Sequence, residues 1–172
     1  MEHDYLSSVK QDEGAIWYTE EFVSNSLIHF LKENGYKIHK EQPGKDADKN
    51  EKIVTASRFF TKEIIGIKGF SSGNSRASLL AVADKHSSSQ QSKTWFSDSL
   101  FNSFVNFGKY YSDESAVMAM ALPNVERYKA IMNKVEDYFT LNDLYFKIYL
   151  VNEKREVEVS NLNAKHANEQ HT

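Results

Sequence analysis

Lys62-Glu63-Ile64-Ile65-Gly66-Ile67-Lys68-Gly69 is the segment from which the architecture is built outward. Ile64 to Ile67 forms a near-continuous apolar run of β-branched residues, the pattern of a strand buried on both faces. Just upstream, Ile53 to Arg58 reads as a second strand, and the short connection around Phe60 and Thr61 predicts a hairpin. Tyr36 to Glu41 precedes it as a further short strand. Residues 42–50, with Pro43, Gly44 and many charges, have the chemistry of a loop. Trp17 to Asn34 predicts a helix, because Phe22, Val23, Leu27, Phe30 and Leu31 recur at helical spacing and Gly35 is placed to end it.

Downstream of Gly69 the chain is Ser- and Gly-rich as far as Ser92. Lys93 to Phe107 then predicts a helix with a wide aromatic stripe of Trp95, Phe96, Phe101, Phe104 and Phe107 expected in the core. Ala116 to Leu122 is a buried strand. Pro123 and Asn124 are expected to open another helix, with Val125, Tyr128, Ile131, Met132, Val135, Tyr138 and Phe139 on one face. Phe146 to Val151 and Val157 to Val159 read as final strands around a charged turn at 152–155. Consecutive early strands suggest antiparallel pairing, and the later strand–helix–strand order calls for a parallel crossover. The expected fold is therefore α/β, a mixed sheet with helices on both faces. Its expected boundaries are a flexible N-terminus at 1–14, one domain at 15–160 and a disordered tail at 161–172.

The chain has 172 residues, no cysteine and a formal net charge of −3. Absent cysteines exclude disulfides, thiolate zinc sites and cysteine nucleophiles. No apolar run approaches the roughly 20 residues of a membrane span. Glu2, His3 and Asp4 at the start do not resemble a signal peptide, so a cytoplasmic protein without membrane partners is expected. Charge is unevenly distributed. Lys32 to Lys93 holds 12 Lys and Arg against 7 Asp and Glu, a balance of +5, whereas the remainder holds 9 against 17, a balance of −8. A basic middle of this kind suits a polyanionic partner.

The order helix, three strands, helix, strand resembles the core of the PD-(D/E)XK, or restriction-endonuclease-like, nucleases. Residues 62–69 look like the family's third-strand motif, an apolar strand ending in acid-any-Lys and often a Gly. Glu51-Lys52-Ile53-Val54 occupies the place of the Pro-Asp pair, and Gln91 with Trp95 is similar to a Gln and aromatic pair some members carry. The resemblance covers about Trp17 to Val151. It implies Mg²⁺ held by carboxylate oxygens, activating a water against a phosphodiester, with the lysine orienting that water. A Glu on the first helix, Glu20 or Glu21, often completes such a set.

Two acid positions of that pattern are changed: the Asp position reads Lys52 and the Glu position reads Gly66, leaving Lys68. Glu63 stands an odd number of residues from Lys68, so strand alternation sends it to the opposite face. The primary reading is a nuclease-fold protein without metal-dependent hydrolysis or a cofactor. It would bind nucleic acid or a protein partner, with Lys52, Lys68, Gln91 and Lys93 meeting a DNA or RNA backbone. The alternative is an active Mg²⁺-dependent endonuclease in which Asp46 or Asp48 and Glu20 or Glu21 have taken over around Lys68. A third reading is a structural protein that assembles through exposed aromatics.

Overall fold

The structure, a computed structural model, describes residues 19–43, 52–69, 89–110 and 116–163. The expected N-terminal segment 1–14, Asp46, Asp48 and most of the Ser-rich stretch lie outside the described residues. The described elements, in chain order, are helix α1 (Glu20–Glu33), strands β1 (Lys37–Pro43), β2 (Lys52–Arg58) and β3 (Thr61–Ile67), helix α2 (Ser89–Tyr110), strand β4 (Ala116–Pro123), helix α3 (Glu126–Leu141), and strands β5 (Phe146–Val151) and β6 (Val157–Asn161). No described helix is long and apolar enough to cross a membrane.

Local chemistry fixes the ends of α1. The Thr19 hydroxyl accepts the Phe22 N–H at 3.3 Å, and Glu20 and Glu21 lie in the first turn, where negative charge is favoured. At the other end Gly35 adopts φ +77°, with the Tyr36 N–H donating to the Leu31 carbonyl and the Gly35 N–H to that of Lys32. This is a Schellman closure, which favours glycine at its left-handed position.

The six strands form one sheet in sequence order. β1–β2 and β2–β3 are antiparallel, β3–β4 and β4–β5 parallel, and β5–β6 antiparallel. The expected hairpin and the parallel crossover carried by α2 are both present. The hairpin turn is Phe59-Phe60 rather than Phe60-Thr61, since Arg58 pairs with Thr61. Pro123 ends β4 opposite Val151 instead of opening α3, whose N-cap is Val125. The segment expected to begin a disordered tail at 161 is ordered at its start. Asn161 belongs to β6, Leu162 donates its N–H to the Phe146 carbonyl, and Leu162 and Asn163 are buried.

Alternation along β5 separates the two faces of the sheet. Tyr149 meets Phe30 of α1 at 6.1 Å between ring centres, and Phe146 meets Phe104 of α2 and Phe139 of α3, each at 6.0 Å. So α1 covers one face and α2 with α3 the other. β3 is buried from Glu63 through Ile67, as its apolar run predicts. The aromatic stripe of α2 differs from expectation. Phe96 is buried, but Phe101 is 65% exposed and Phe104 40%, while Ser99 and Ser103 are buried. Each serine donates its hydroxyl to a carbonyl one turn back, Trp95 and Ser99 respectively, at 2.8 Å. Small, self-satisfied side chains thus line the buried side of α2. Tyr138 of α3 is likewise turned outward, 62% exposed.

Candidate nucleic-acid interface

β2 runs opposite to β3, so the first residue of β2 lies beside the last of β3: Lys52 pairs with Ile67. The ladder continues one residue further, the Lys68 N–H donating to the Ala121 carbonyl at 3.0 Å. The chain then passes against the start of α1. A Cβ on Gly69 would lie 2.1 Å from the Glu20 nitrogen and 2.4 Å from the Thr19 carbonyl carbon, so only glycine permits this approach. Lys52, Lys68, half-buried Glu20 and exposed Glu21 therefore share the carboxyl end of the parallel strands. α2 runs back from the same end. Phe96 near its start packs on Tyr128 at 5.8 Å, early in the helix that follows β4, and Phe104 packs on the first residue of β5. Its opening turn, with Gln91 and exposed Lys93, belongs to this end as well.

The residues share an end but not a face. Directly opposed residues in an antiparallel pair point the same way, so Lys52 lies on the α1 face with Ile67. Gly66 pairs with Ile53 on the face of α2 and α3, and Lys68 follows Ile67 by one residue. Gly66 and Ile53 are both buried and offer no side-chain oxygen. Among the described residues no three His, Asp or Glu side chains form a metal-binding group.

The most developed polar cluster sits at the opposite end of β3 and includes residues that sequence reasoning did not single out. Glu63, 1% exposed, accepts hydrogen bonds from Tyr36 Oη at 2.8 Å, Lys147 Nζ at 2.6 Å and Tyr149 Oη at 2.5 Å. Its face is that of α1, away from Gly66, as the spacing to Lys68 predicts. Lys147 reaches it across β4, where the residue paired with Lys147 is Ala119, too small to intervene. Burial works to lower the pKa of Lys147, but the charge and hydrogen bond of Glu63, with smaller effects from Tyr36 and Tyr145, bring it above the ordinary lysine value. Burial, then the Glu63 charge, drive the Tyr149 phenol far upward, so it stays a neutral donor. The available signal was a Lys and a Tyr two residues apart in an otherwise apolar strand; nothing in the sequence named their partner. Glu63 lies about 16 Å along the strand from Lys68, so the two cannot act on one ligand atom.

Among exposed groups, Glu158 of β6 accepts from Lys129 Nζ at 2.7 Å and Asn124 Nδ2 at 3.1 Å. The Lys129 hydrogen bond, outweighing the upward push of burial and helped by Asn124, holds its pKa below the ordinary carboxylate value.

No protein-family model matches the chain, and no curated protein matches its sequence. A solved structure, that of an FdxN element excision controlling factor protein from Anabaena variabilis, is similar at 19% sequence identity and a TM-score of 0.44, covering 82% of this chain and 98% of that one.

Proposed function

We propose that residues 15–160 form one domain of PD-(D/E)XK nuclease-like architecture that binds a nucleic-acid backbone without metal-dependent hydrolysis. The observation that carries this reading is the pairing of buried Gly66 with buried Ile53 in the hairpin that feeds the parallel crossover. Where the resemblance asks for a Glu, Gly66 supplies neither a ligand oxygen nor a negative charge, its neighbour across the ladder is apolar, and the Asp position is held by Lys52. Lys52 and Lys68 remain at the carboxyl end of β3, the end at which open α/β sheets hold ligands. Attraction there is sequence-independent and works through counterion release.

Fluorescence anisotropy with short labelled DNA and RNA at several salt concentrations tests the proposal. A dissociation constant of about 10⁻⁴ to 10⁻⁶ M at physiological salt is expected. The Lys52→Ala/Lys68→Ala double variant should flatten the salt slope by up to about two units. No binding at about 50 mM salt would sink the nucleic-acid reading. Calorimetric titration with Mg²⁺ separates the endonuclease alternative, in which a one-site isotherm disappears in Asp48→Ala or Glu21→Ala. A protein-partner reading draws on exposed Phe101, Tyr138 and Leu141 on α2 and α3; sedimentation that shows self-association would favour it.

A further inference from the structure

The turn between β2 and β3 breaks a local rule with no return in packing. Phe59 has φ 53°, a left-handed conformation that costs a bulky side chain and that Gly, Asn or Asp adopts far more readily. Yet Phe59 is 87% exposed and Phe60 96%, so neither ring contributes to the core. A strained residue whose ring stays outside the core points to function.

The surroundings of the tip are cationic and rich in donors. The Arg58 guanidinium lies 5.2 Å from the centre of the Phe59 ring and 5.7 Å from that of Tyr36, steadying one aromatic face and leaving the other open. Behind the tip, Lys37, Ser57 and Lys62 stand directly opposite one another across β1, β2 and β3, and so share one face. His39 Nε2 is 2.6 Å from Ser57 Oγ. α2 packs over β3 and β4 on this side; beyond it, Lys37 and His39 are exposed and Ser57 and Lys62 half-buried. The described carboxylate of the hairpin, Glu63, is buried on the other face.

We propose that this hairpin is a stacking platform for unpaired bases, with Phe59 and Phe60 taking the bases and Lys37, His39 and Lys62 the adjoining phosphates. This rests on the nucleic-acid reading above and names the form of nucleic acid, single strands over duplex. Aromatic rings suit bases of any sequence, while hydroxyl, imidazole and ammonium donors suit phosphate oxygens. A bilayer is the weaker match, because two rings offer less apolar area than one acyl chain, itself a marginal anchor.

The test compares wild type with Phe59→Ala/Phe60→Ala and with Phe59→Asn. The probes are labelled oligo-dT of about 12 nucleotides, its duplex with oligo-dA, inorganic polyphosphate, and phosphatidylserine vesicles. Oligo-dT should bind wild type more tightly than the duplex does, and the double alanine variant should lose about tenfold or more of that affinity. Polyphosphate binding should change by less than about twofold, since it offers charge but no base. Phe59→Asn should raise the melting temperature, by relieving the turn, and still weaken oligo-dT binding. If wild type and the double variant bind oligo-dT equally, the platform is overturned while the nucleic-acid reading stands. If no nucleic acid binds, both fall, and vesicle binding lost in the double variant would reassign the tip to a lipid surface.

Discussion

Glu63 shows how much a single buried carboxylate can organise. It ties β3 to β5 through Lys147 and Tyr149, and to the start of β1 through Tyr36. Breaking a buried pair from one side leaves an uncompensated charge, at a cost of about 3–5 kcal/mol, whereas replacing both partners is far milder. Glu63→Ala should therefore destabilise by about that amount in urea unfolding, and Glu63→Gln/Lys147→Met should recover at least about 2 kcal/mol of it. Additive losses in the double variant would refute the coupling. The cluster also sets a pH limit. Lys147, Tyr149 and Tyr145 all have folded pKa values raised above their unfolded ones. Stability linked to a raised pKa is whole below the unfolded value and is lost as pH rises through the folded one. Stability should accordingly decline from about the ordinary tyrosine value of 10.0 upward, part of the tyrosinate absorbance appearing only with unfolding. The face of Glu63 was legible from its odd spacing to Lys68. Its partners were not, because Lys147 and Tyr149 come from a strand more than 80 residues away, two places over in the sheet, and Tyr36 from 27 residues upstream.

At the level of elements, periodicity located every described helix yet drew the buried stripe of α2 too wide, keeping Phe96 but including the exposed Phe101. A stripe as wide as Trp95 to Phe107 leaves open which edge meets the sheet. The structure resolves this in favour of Phe96, Ser99 and Ser103, whose hydroxyls are satisfied inside their own helix and so carry little burial penalty. Close approach of α2 to β3 and β4 depends on those small residues. Ser103→Leu should force the helix off the sheet and destabilise by about 1–3 kcal/mol. By contrast, Phe101→Ser, at an exposed position, should stay within about 0.5 kcal/mol. Thermal or urea unfolding of the two variants distinguishes them, and the reverse ranking would mean that the aromatics carry the packing after all. The same reasoning explains Gly69: its place after the strand was legible, whereas its need, the backbone of α1 against it, is a tertiary contact.

Across the whole molecule the sheet is graded from a dry centre to two wet edges, and its dynamics should follow. β3, β4 and β5 have helices on both faces and bury, among others, Ile64, Ile65, Ile67, Ala119 to Leu122 and Ile148 to Val151. Their ladder hydrogen bonds open only when that apolar surface meets water, in effect on global unfolding. β1 has one neighbour and an irregular register between Ile38 and Lys40, and β6 carries exposed Glu158 and Val159. Edge amides can exchange through local fraying without exposing the core. The centre was legible because apolar runs mark strands buried on both sides. The edges were less so, since β6 continues two residues beyond its predicted end on Ser160 and Asn161, whose side chains carry no strand signal. Native-state hydrogen exchange should find the amides of 64–67, 119–122 and 148–151 slowest. Those of 37–40 and 157–160 should exchange at least about a hundredfold faster, a difference of some 3 kcal/mol in opening free energy. The β2–β3 tip should fall with the fast group, since a platform that must admit bases cannot be locked by the core. Uniform protection through all six strands would show that the sheet opens only as one cooperative unit, and would count against a β2–β3 tip free to adjust to a ligand.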